Sequence, residues 1–416
     1  MVHSVIVGLG FGDEGKGRIV DYLCATNDIK AVIRFSGGAQ AAHNVITPDG
    51  RHHTFAQFGS GTFHGVPTYL SRYMMVNPFN LMREYEALTA KVDFDPLERL
   101  FVSHASPIIT PYHRRANQLR EIARGGNRHG SCGQGIGETR SLELDGIVLR
   151  ASWMRDWSMT SDILTQIYHQ YTEEFGDDFT GSVDEPDEIA KQYLIISGKL
   201  NYFWDTDLDL VLDSGDCVFE GSQGVLLDEW YGFHPYTTWS TTTPENALKI
   251  LGDRESKVIG VTRSYQTRHG AGPFPTEVEP EMDESHPEPH NGTGVYQGTW
   301  RRGLLDLTLL SYAVRCCERI DAIAVTHLDR LTPIRAGYAH LDELRTKAEA
   351  GRPKTDLVYQ EELTKLISTE GAHSGGWLQP ADGDELCQFI TAVTGVPVTV
   401  TAYGPTWEET RVLQLQ

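Results

Sequence analysis

An α/β fold with a large, mostly parallel central sheet, flanking helices and a helical insertion is the architecture this sequence predicts, and three observations predict it. Short β-branched apolar runs recur at Ser4–Val7, Ala31–Phe35, Leu100–Ser103, Cys217–Phe219, Lys257–Val261, Ala322–Thr326 and Pro397–Thr401. Longer stretches of helical character separate them, and several runs end in glycine-rich loops. Continuous apolar strands that alternate with helices are buried on both faces, which is the condition of a parallel sheet covered by its crossover helices.

The first run leads through Gly8-Leu-Gly-Phe-Gly-Asp-Glu-Gly-Lys-Gly17 into a helix expected over Gly17–Ala25. Further helices are expected at Asn80–Ala90, Tyr112–Ala123, Ser161–Tyr171, Glu188–Phe203, Leu305–Arg319 and Gly383–Thr394. The stretch from about Ala151 to Leu212 is mostly helical and polar, and we expect it to form a helical sub-domain within a single domain spanning residues 1–416. There is no internal repeat, heptad pattern or low-complexity linker.

Composition narrows the function classes. A hydrophobic share of 40% and a charged share of 22% are ordinary for a globular chain. The net charge of -21 argues against binding the phosphate backbone of nucleic acids, which depends on clustered Lys and Arg. The N-terminus lacks a basic segment followed by a long apolar run, and no eighteen apolar residues occur together, so a cytoplasmic location with no membrane partner is expected. Six cysteines without CxxC spacing read as free buried thiols, and no His/Cys cluster has a zinc rhythm.

The chemistry begins in the first loop. Its glycines let backbone N–H groups close around phosphate oxygens, while the following helix N-terminus and Lys16 supply positive charge. Gly10 to Lys16 fits GxxxxGK, but Gly17 stands where the usual Ser or Thr would bind magnesium. Asp13 lies within the loop, where a carboxylate repels phosphate unless it binds a metal or takes a proton. The second run delivers Ser36-Gly-Gly-Ala-Gln-Ala-Ala-His-Asn44, whose small residues allow close approach to a ligand at a strand end. Taken alone, His43 fits a core histidine as well as a catalytic one.

Four other segments share this character: Gly130–Gly137, Phe219–Asp228, Thr267–Glu277 and Thr326-His-Leu-Asp329. Together they imply a large cleft for several substrates. The last is similar to the guanine-reading Asn/Thr-Lys-x-Asp motif, with His327 in place of the Lys. A carboxylate at Asp329 would accept from guanine N1 and its 2-amino group, a donor pair that adenine lacks.

In this order, GDEGKGR, GGAQAAHNV, SCGQGIG, FEGSQGVLLD, GAGPFPTE, THLD and Tyr403-Gly-Pro405 resemble the adenylosuccinate synthetase family across nearly the whole chain. The resemblance implies the family's P-loop fold and a homodimeric ligase that condenses IMP with L-aspartate, consuming GTP with Mg²⁺. By matching, Asp13 is the general base, His43 assists phosphoryl transfer and Lys16 is the phosphate-loop lysine. The nucleotide cofactor would meet Gly12, Glu14, Gly15, Lys16, Gly17, Thr326, His327, Asp329, Gly404 and Pro405. Asp13 and the Ala42 carbonyl would hold the metal. Gln40, Ser131, Cys132, Gln223 and Thr238 match contacts to the substrate nucleotide, and Gln297, Arg301 and Arg302 match the amino-acid loop.

Departures from the family pattern cluster at two places. Gln40 replaces an Asn, Ser131-Cys132 replaces a Thr pair, and ungapped counting puts Gly146 where a partner-subunit arginine would reach the substrate phosphate, leaving Arg140 and Arg150 as substitutes. In the amino-acid loop, Val295-Tyr-Gln-Gly-Thr-Trp-Arg-Arg-Gly303 replaces Thr-Thr-Gly followed by four arginines. Arg301 and Arg302 suit a dicarboxylate, whereas Trp300 serves either to narrow the site or to anchor the loop. The sequence therefore supports the standard reaction first, and the same chemistry on another 6-oxopurine-like nucleotide or amino acid second. A catalytically idle GTP-binding regulator would be expected to lose Asp13, Lys16 or His43, and all three are present.

Overall fold

The computed structural model describes residues 1–278, 294–337, 356–368 and 376–413. Ten strands form the central sheet: β1 (His3–Gly8), β2 (Ala31–Arg34), β5 (Thr68–Leu70), β6 (Leu100–Ser103), β7 (Asn201–Phe203), β8 (Cys217–Gly224), β9 (Ser256–Arg263), β12 (Ala322–Thr326), β15 (Val398–Ala402) and β16 (Thr410–Val412). Their spatial order is β16-β15-β12-β9-β1-β8-β2-β5-β6-β7. All neighbours run parallel except β16, which closes one edge antiparallel to β15. The predicted mostly parallel α/β sheet is therefore what the chain forms, and every apolar run identified in the sequence lies in it.

A second sheet joins β10 (Tyr265–His269), β11 (Trp300–Asp306), β13 (Ile334–Gly337) and β14 (Gly376–Leu378), and a hairpin pairs β3 (His43–Ile46) with β4 (His52–Phe55). The helices used below are α1 (Lys16–Thr26), α2 (Pro78–Thr89), α3 (Pro111–Arg124), α4 (Ile136–Leu144), α5 (Trp157–Phe175), α6 (Asp177–Thr180) and α7 (Pro186–Ser197). Leu164 and Ile167 of α5 and Ile189 and Tyr193 of α7 share one apolar cluster with Leu81 of α2 and Tyr112 of α3. Those helices thus pack on the sheet's β6 side.

Two expected helices end differently, for local reasons. The helix expected over Glu188–Phe203 stops at Ser197, where Gly198 ends it, and Asn201–Phe203 instead pairs with β6 as the edge strand. The helix expected from Leu305 begins at Leu307, because Leu305 and Asp306 still belong to β11 and the Asp306 carboxylate accepts from the backbone N–H groups of Thr308 and Leu309 at 2.9 and 3.0 Å.

Because β1, β2, β8, β9, β12 and β15 are parallel, their C-terminal ends share one edge of the sheet. Ligands of open α/β sheets bind outside these ends. Ile33, fully buried on β2, packs in the apolar layer behind that edge. Ile33→Ala should destabilise the fold by about 2–5 kcal/mol through lost contacts and an unfilled cavity; a denaturant midpoint equal to wild type would contradict this placement.

Candidate active site

Glu14 organises the phosphate loop from inside. Its Oε1 accepts from the backbone N–H groups of Gly10 and Gly12 at 3.0 and 2.9 Å, and its Oε2 accepts from Lys16 Nζ at 2.5 Å. Both side chains are buried. The glycines around them are a steric requirement: a Cβ on Gly8 or on Gly224 would come within 2.2 Å of a Glu14 carboxylate oxygen. Gly17 is fixed in the same way, since a Cβ there would lie 2.8 Å from the Cβ of His43. The packing of His43 against α1 therefore accounts for the missing Walker hydroxyl.

Asp13 takes a left-handed backbone conformation, φ 58°, uncommon for a residue with a side chain. Arg263 Nε donates to its carbonyl, and His269 Nε2 donates to its Oδ2 at 2.8 Å. Burial is the largest influence on its carboxyl and favours the neutral form. The His269 hydrogen bond and charge, with the charges of Arg263 and Lys16, outweigh burial and hold the group at about 2. Asp13 is therefore ionised at neutral pH.

His43, at the start of β3, is buried with Nδ1 2.5 Å from Glu220 Oε1 and Nε2 3.2 Å from the Ser222 carbonyl. Burial lowers its pKa against the opposing pull of Glu220. Glu220 as acceptor assigns the ring proton to Nδ1. For Glu220 itself burial again favours the neutral form, but Arg34, the His43 contact and the Ser60 hydroxyl prevail and hold it at about 2. The imidazole thus rests on an ionised carboxylate.

Asp13 and His43 line one cavity of about 420 Å³. Gly12, Gln40, Ala42, Ser131, Cys132, Gln223, Thr238 and Gln297 line it too, so the structure gathers residues from six separated stretches of sequence. Both polar atoms of the Gln40 amide, and Gln223 Oε1, are buried without a hydrogen-bond partner among the described residues. Such groups await a ligand or water. The Ser131 hydroxyl donates to Asn117 Oδ1 at 2.8 Å, and burial pushes the Cys132 thiol up, so neither offers positive charge.

The other residues matched to nucleotide contacts in the sequence lie behind the loop. Thr326 Oγ1 donates to the Glu14 carbonyl at 2.7 Å and stands 2.8 Å from His327 Nδ1. His327 has φ 57°, and burial with the nearby Arg263, Arg18 and Arg330 charges keeps its ring neutral. Asp329 is exposed next to Arg330. The Leu328 N–H donates to the Ala402 carbonyl at 3.0 Å, bringing Thr326-His-Leu-Asp329 beside the Gly404-Pro405 turn, which Arg18 ties to α1 by donating to the Thr406 carbonyl.

In the two divergent segments Arg301, Arg140 and Arg150 each have a carboxylate partner. Arg301 is held by Glu277, with Nε 2.7 Å from Oε1, and by the Gly270 and Gly272 carbonyls. Arg302, its neighbour on β11, projects from the opposite face of the strand and is buried. The pair does not converge on one ligand carboxylate. Arg140 and Arg150 both bind Glu143 and line a second cavity of about 540 Å³. Gly146, φ 85°, follows the end of α4 in a conformation suited to glycine, and carries no side chain toward either cavity.

The sequence matches the family model described as adenylosuccinate synthetase over residues 5–411. The chain belongs to the adenylosuccinate synthetase family. It is 32% identical to the adenylosuccinate synthetase of Syntrophus aciditrophicus, covering 100% of this chain and 99% of that one. It is 31% identical to that of Thermoplasma acidophilum over 79% and 76% of the two chains. The fully ligated adenylosuccinate synthetase of Plasmodium falciparum has the same fold, with TM-score 0.80 at 22% identity and 100% of both chains covered. The succinoaminodeoxyadenylate synthetase of cyanophage S-2L, bound to dGMP and dATP as an energy donor, aligns with TM-score 0.60 at 18% identity over 99% and 96% of the chains.

Family membership makes the chain a C–N bond-forming ligase of a GTP-dependent family. No described helix is long and apolar enough to cross a membrane. Sequence reasoning alone overlooked Glu220 and His269, although both stand in the glycine-rich segments it singled out. Glu220 lies within β8 just before Gly221, and a carboxylate in an otherwise apolar run was the available signal. Because its carboxyl is depressed from 4.5 to about 2, the stability it contributes is full above pH ~4.5 and is lost as pH falls toward 2. Glu220→Gln should give a shallower fall of melting temperature between pH ~5 and ~3 than wild type; parallel curves would contradict the assignment.

Proposed function

We propose that this chain joins L-aspartate to C6 of IMP with consumption of GTP, giving adenylosuccinate, GDP and phosphate. One observation carries the reading: an ionised Asp13 and a Glu220-backed His43 line the same cavity, directly against the phosphate loop. Asp13 takes the N1 proton of the 6-oxopurine. The electron pair moves to O6, which bonds to the γ-phosphorus as the bond to the bridging oxygen breaks and GDP leaves. The aspartate amine then bonds to C6, the C6–O6 bond breaks, O6 departs in the phosphate, and the amine gives up a proton. Phosphorylation makes a leaving group of an amide-like oxygen, and fixed donors supply most of the catalysis.

His43 is set to stabilise negative charge building on the transferring group, with its own positive character offset by Glu220. The donors offered here suit Mg²⁺: Asp13 gives an ionised carboxylate and Ala42 a backbone carbonyl, both hard oxygen ligands. No group of three or more His, Cys, Asp or Glu that could hold a metal occurs among the described residues, so phosphate oxygens would complete the set. Bound there, Mg²⁺ would neutralise phosphate charge. Asp329 supports GTP as the donor, since its carboxylate is exposed, with Arg330 Nε 3.5 Å from Oδ2 as its ion-pair partner among the described residues. On the same resemblance the enzyme acts in the cytoplasm as a homodimer.

Specific observations favour the same chemistry on another 6-oxopurine-like nucleotide or with another amino acid. Arg301 is bound by Glu277. At the cavity wall, Arg120 binds Glu138 and Glu174, and Arg124 binds Glu121, so these cations are already balanced. The cyanophage enzyme, with its dGMP, illustrates the scope of the fold for related nucleotides.

The test is phosphate release and product mass with GTP, Mg²⁺, IMP and aspartate, followed by a panel of 6-oxopurine nucleotides and amino acids. Adenylosuccinate is the expected product, and turnover with only a different pair would move the assignment to that pair. Asp13→Ala should abolish turnover while GTP binding survives; substantial activity in that variant would sink the proposed base.

A further inference from the structure

We propose that His269 is the positioning residue of Asp13, holding carboxylate Oδ2 so that the other oxygen faces the substrate, and linking the base to the loop that receives the amino donor. The inference rests on Asp13 being the proton-abstracting group.

Strand β10 and the end of β9 clasp the phosphate loop through several independent contacts. Phe11 forms a bridge with Arg268, whose guanidinium also lies 4.3 Å from the Phe11 ring centre. Thr267 Oγ1 donates to the Gly12 carbonyl at 3.3 Å, and Arg263 Nε donates to the Asp13 carbonyl. All of these hold backbone or ring. Of the clasp residues, His269 alone bonds the Asp13 carboxylate.

That distinction matters because the left-handed backbone of Asp13 fixes where its Cβ points but leaves the carboxylate free to rotate. A base that samples several rotamers presents its lone pair to N1 for only part of the time. One hydrogen bond to one oxygen removes that freedom, and misplacement of a reacting group by about 1 Å is enough to cost about 100-fold in rate. The carboxylate oxygen not bonded to His269 remains for the substrate side of the cavity that Asp13 lines.

The other side of His269 faces the amino-acid loop. It is the last residue of β10 and pairs in register with Trp300 at the start of β11. The next residue, Gly270, donates its N–H to the Thr299 carbonyl at 3.0 Å and lies so close to Gln297 that a Cβ would meet the Gln297 carbonyl at 2.3 Å. Gln297 and His269 line the same cavity as Asp13. The Gly294–Gly298 turn thereby contacts the residue that follows His269.

The test compares His269→Ala, His269→Gln and Asp13→Ala in the full-length enzyme, measuring kcat, KM for each substrate, GTP affinity and melting temperature. Glutamine retains a side-chain N–H at similar reach. We expect His269→Ala to lower kcat by about 10–100-fold with KM changed less than about twofold, and His269→Gln to recover kcat to within about threefold of wild type. If Asp13→Ala is inactive while His269→Ala keeps wild-type kcat, the positioning role is overturned and the base stands. If Ala and Gln variants lose kcat equally, with weaker GTP affinity or a lower melting temperature, His269 is only part of the clasp and the proposal is overturned. Activity in Asp13→Ala removes both the base and the inference.

Discussion

The buried Glu14–Lys16 pair is the constraint on which the active-site loop depends. A carboxylate placed inside a phosphate-binding loop has to be satisfied from within, and Glu14 achieves this with two backbone N–H groups and the Lys16 ammonium. Removing one partner of such a pair leaves an uncompensated buried charge, which is among the most destabilising local changes a protein can undergo. The space the pair occupies forces glycine at Gly8 on β1 and Gly224 on β8, while the next turn forces glycine at Gly17 against His43. Phosphate-loop geometry, glycine pattern and the position of His43 therefore follow from one packing problem.

Around that centre Asp13 and His43 are each held by a second residue. Asp13 is bound by His269 and His43 by Glu220, and in both cases burial opposes the ionised carboxylate while neighbouring hydrogen bonds and cations win. The arrangement keeps charge fixed before substrate arrives, so little reorganisation remains for the phosphoryl-transfer step. Thr326 extends the network by donating to the Glu14 carbonyl, which ties the Thr326–Asp329 segment to the loop.

Much of this was legible in the sequence because parallel strands write themselves as apolar runs. Each run identified, from Ser4–Val7 to Pro397–Thr401, lies in the central sheet, whereas the three-residue strands β5, β7 and β16 were too short to carry a periodic signal. Asp13, His43, Gln40, Gln223 and Thr238 could be gathered from their glycine-rich settings, and they meet at one cavity. The side chains that hold them were not legible, since Glu220 and His269 act across gaps of 177 and 256 residues. Arg301 and Arg302 show the complementary limit: the sequence marks them as suited to a dicarboxylate, while the opposite faces that adjacency on a strand gives them and the Glu277 partner of Arg301 could not be read from it.

Transfer of O6 to phosphate is the most direct consequence of phosphoryl activation, whichever nucleotide and amino acid the enzyme uses. The decisive measurement is turnover of a 6-oxopurine substrate labelled with ¹⁸O at O6, with the mass of the released phosphate determined. Phosphorylation of O6 predicts one ¹⁸O atom in each phosphate formed by turnover. Unlabelled phosphate accompanying formation of the aminated product would contradict it.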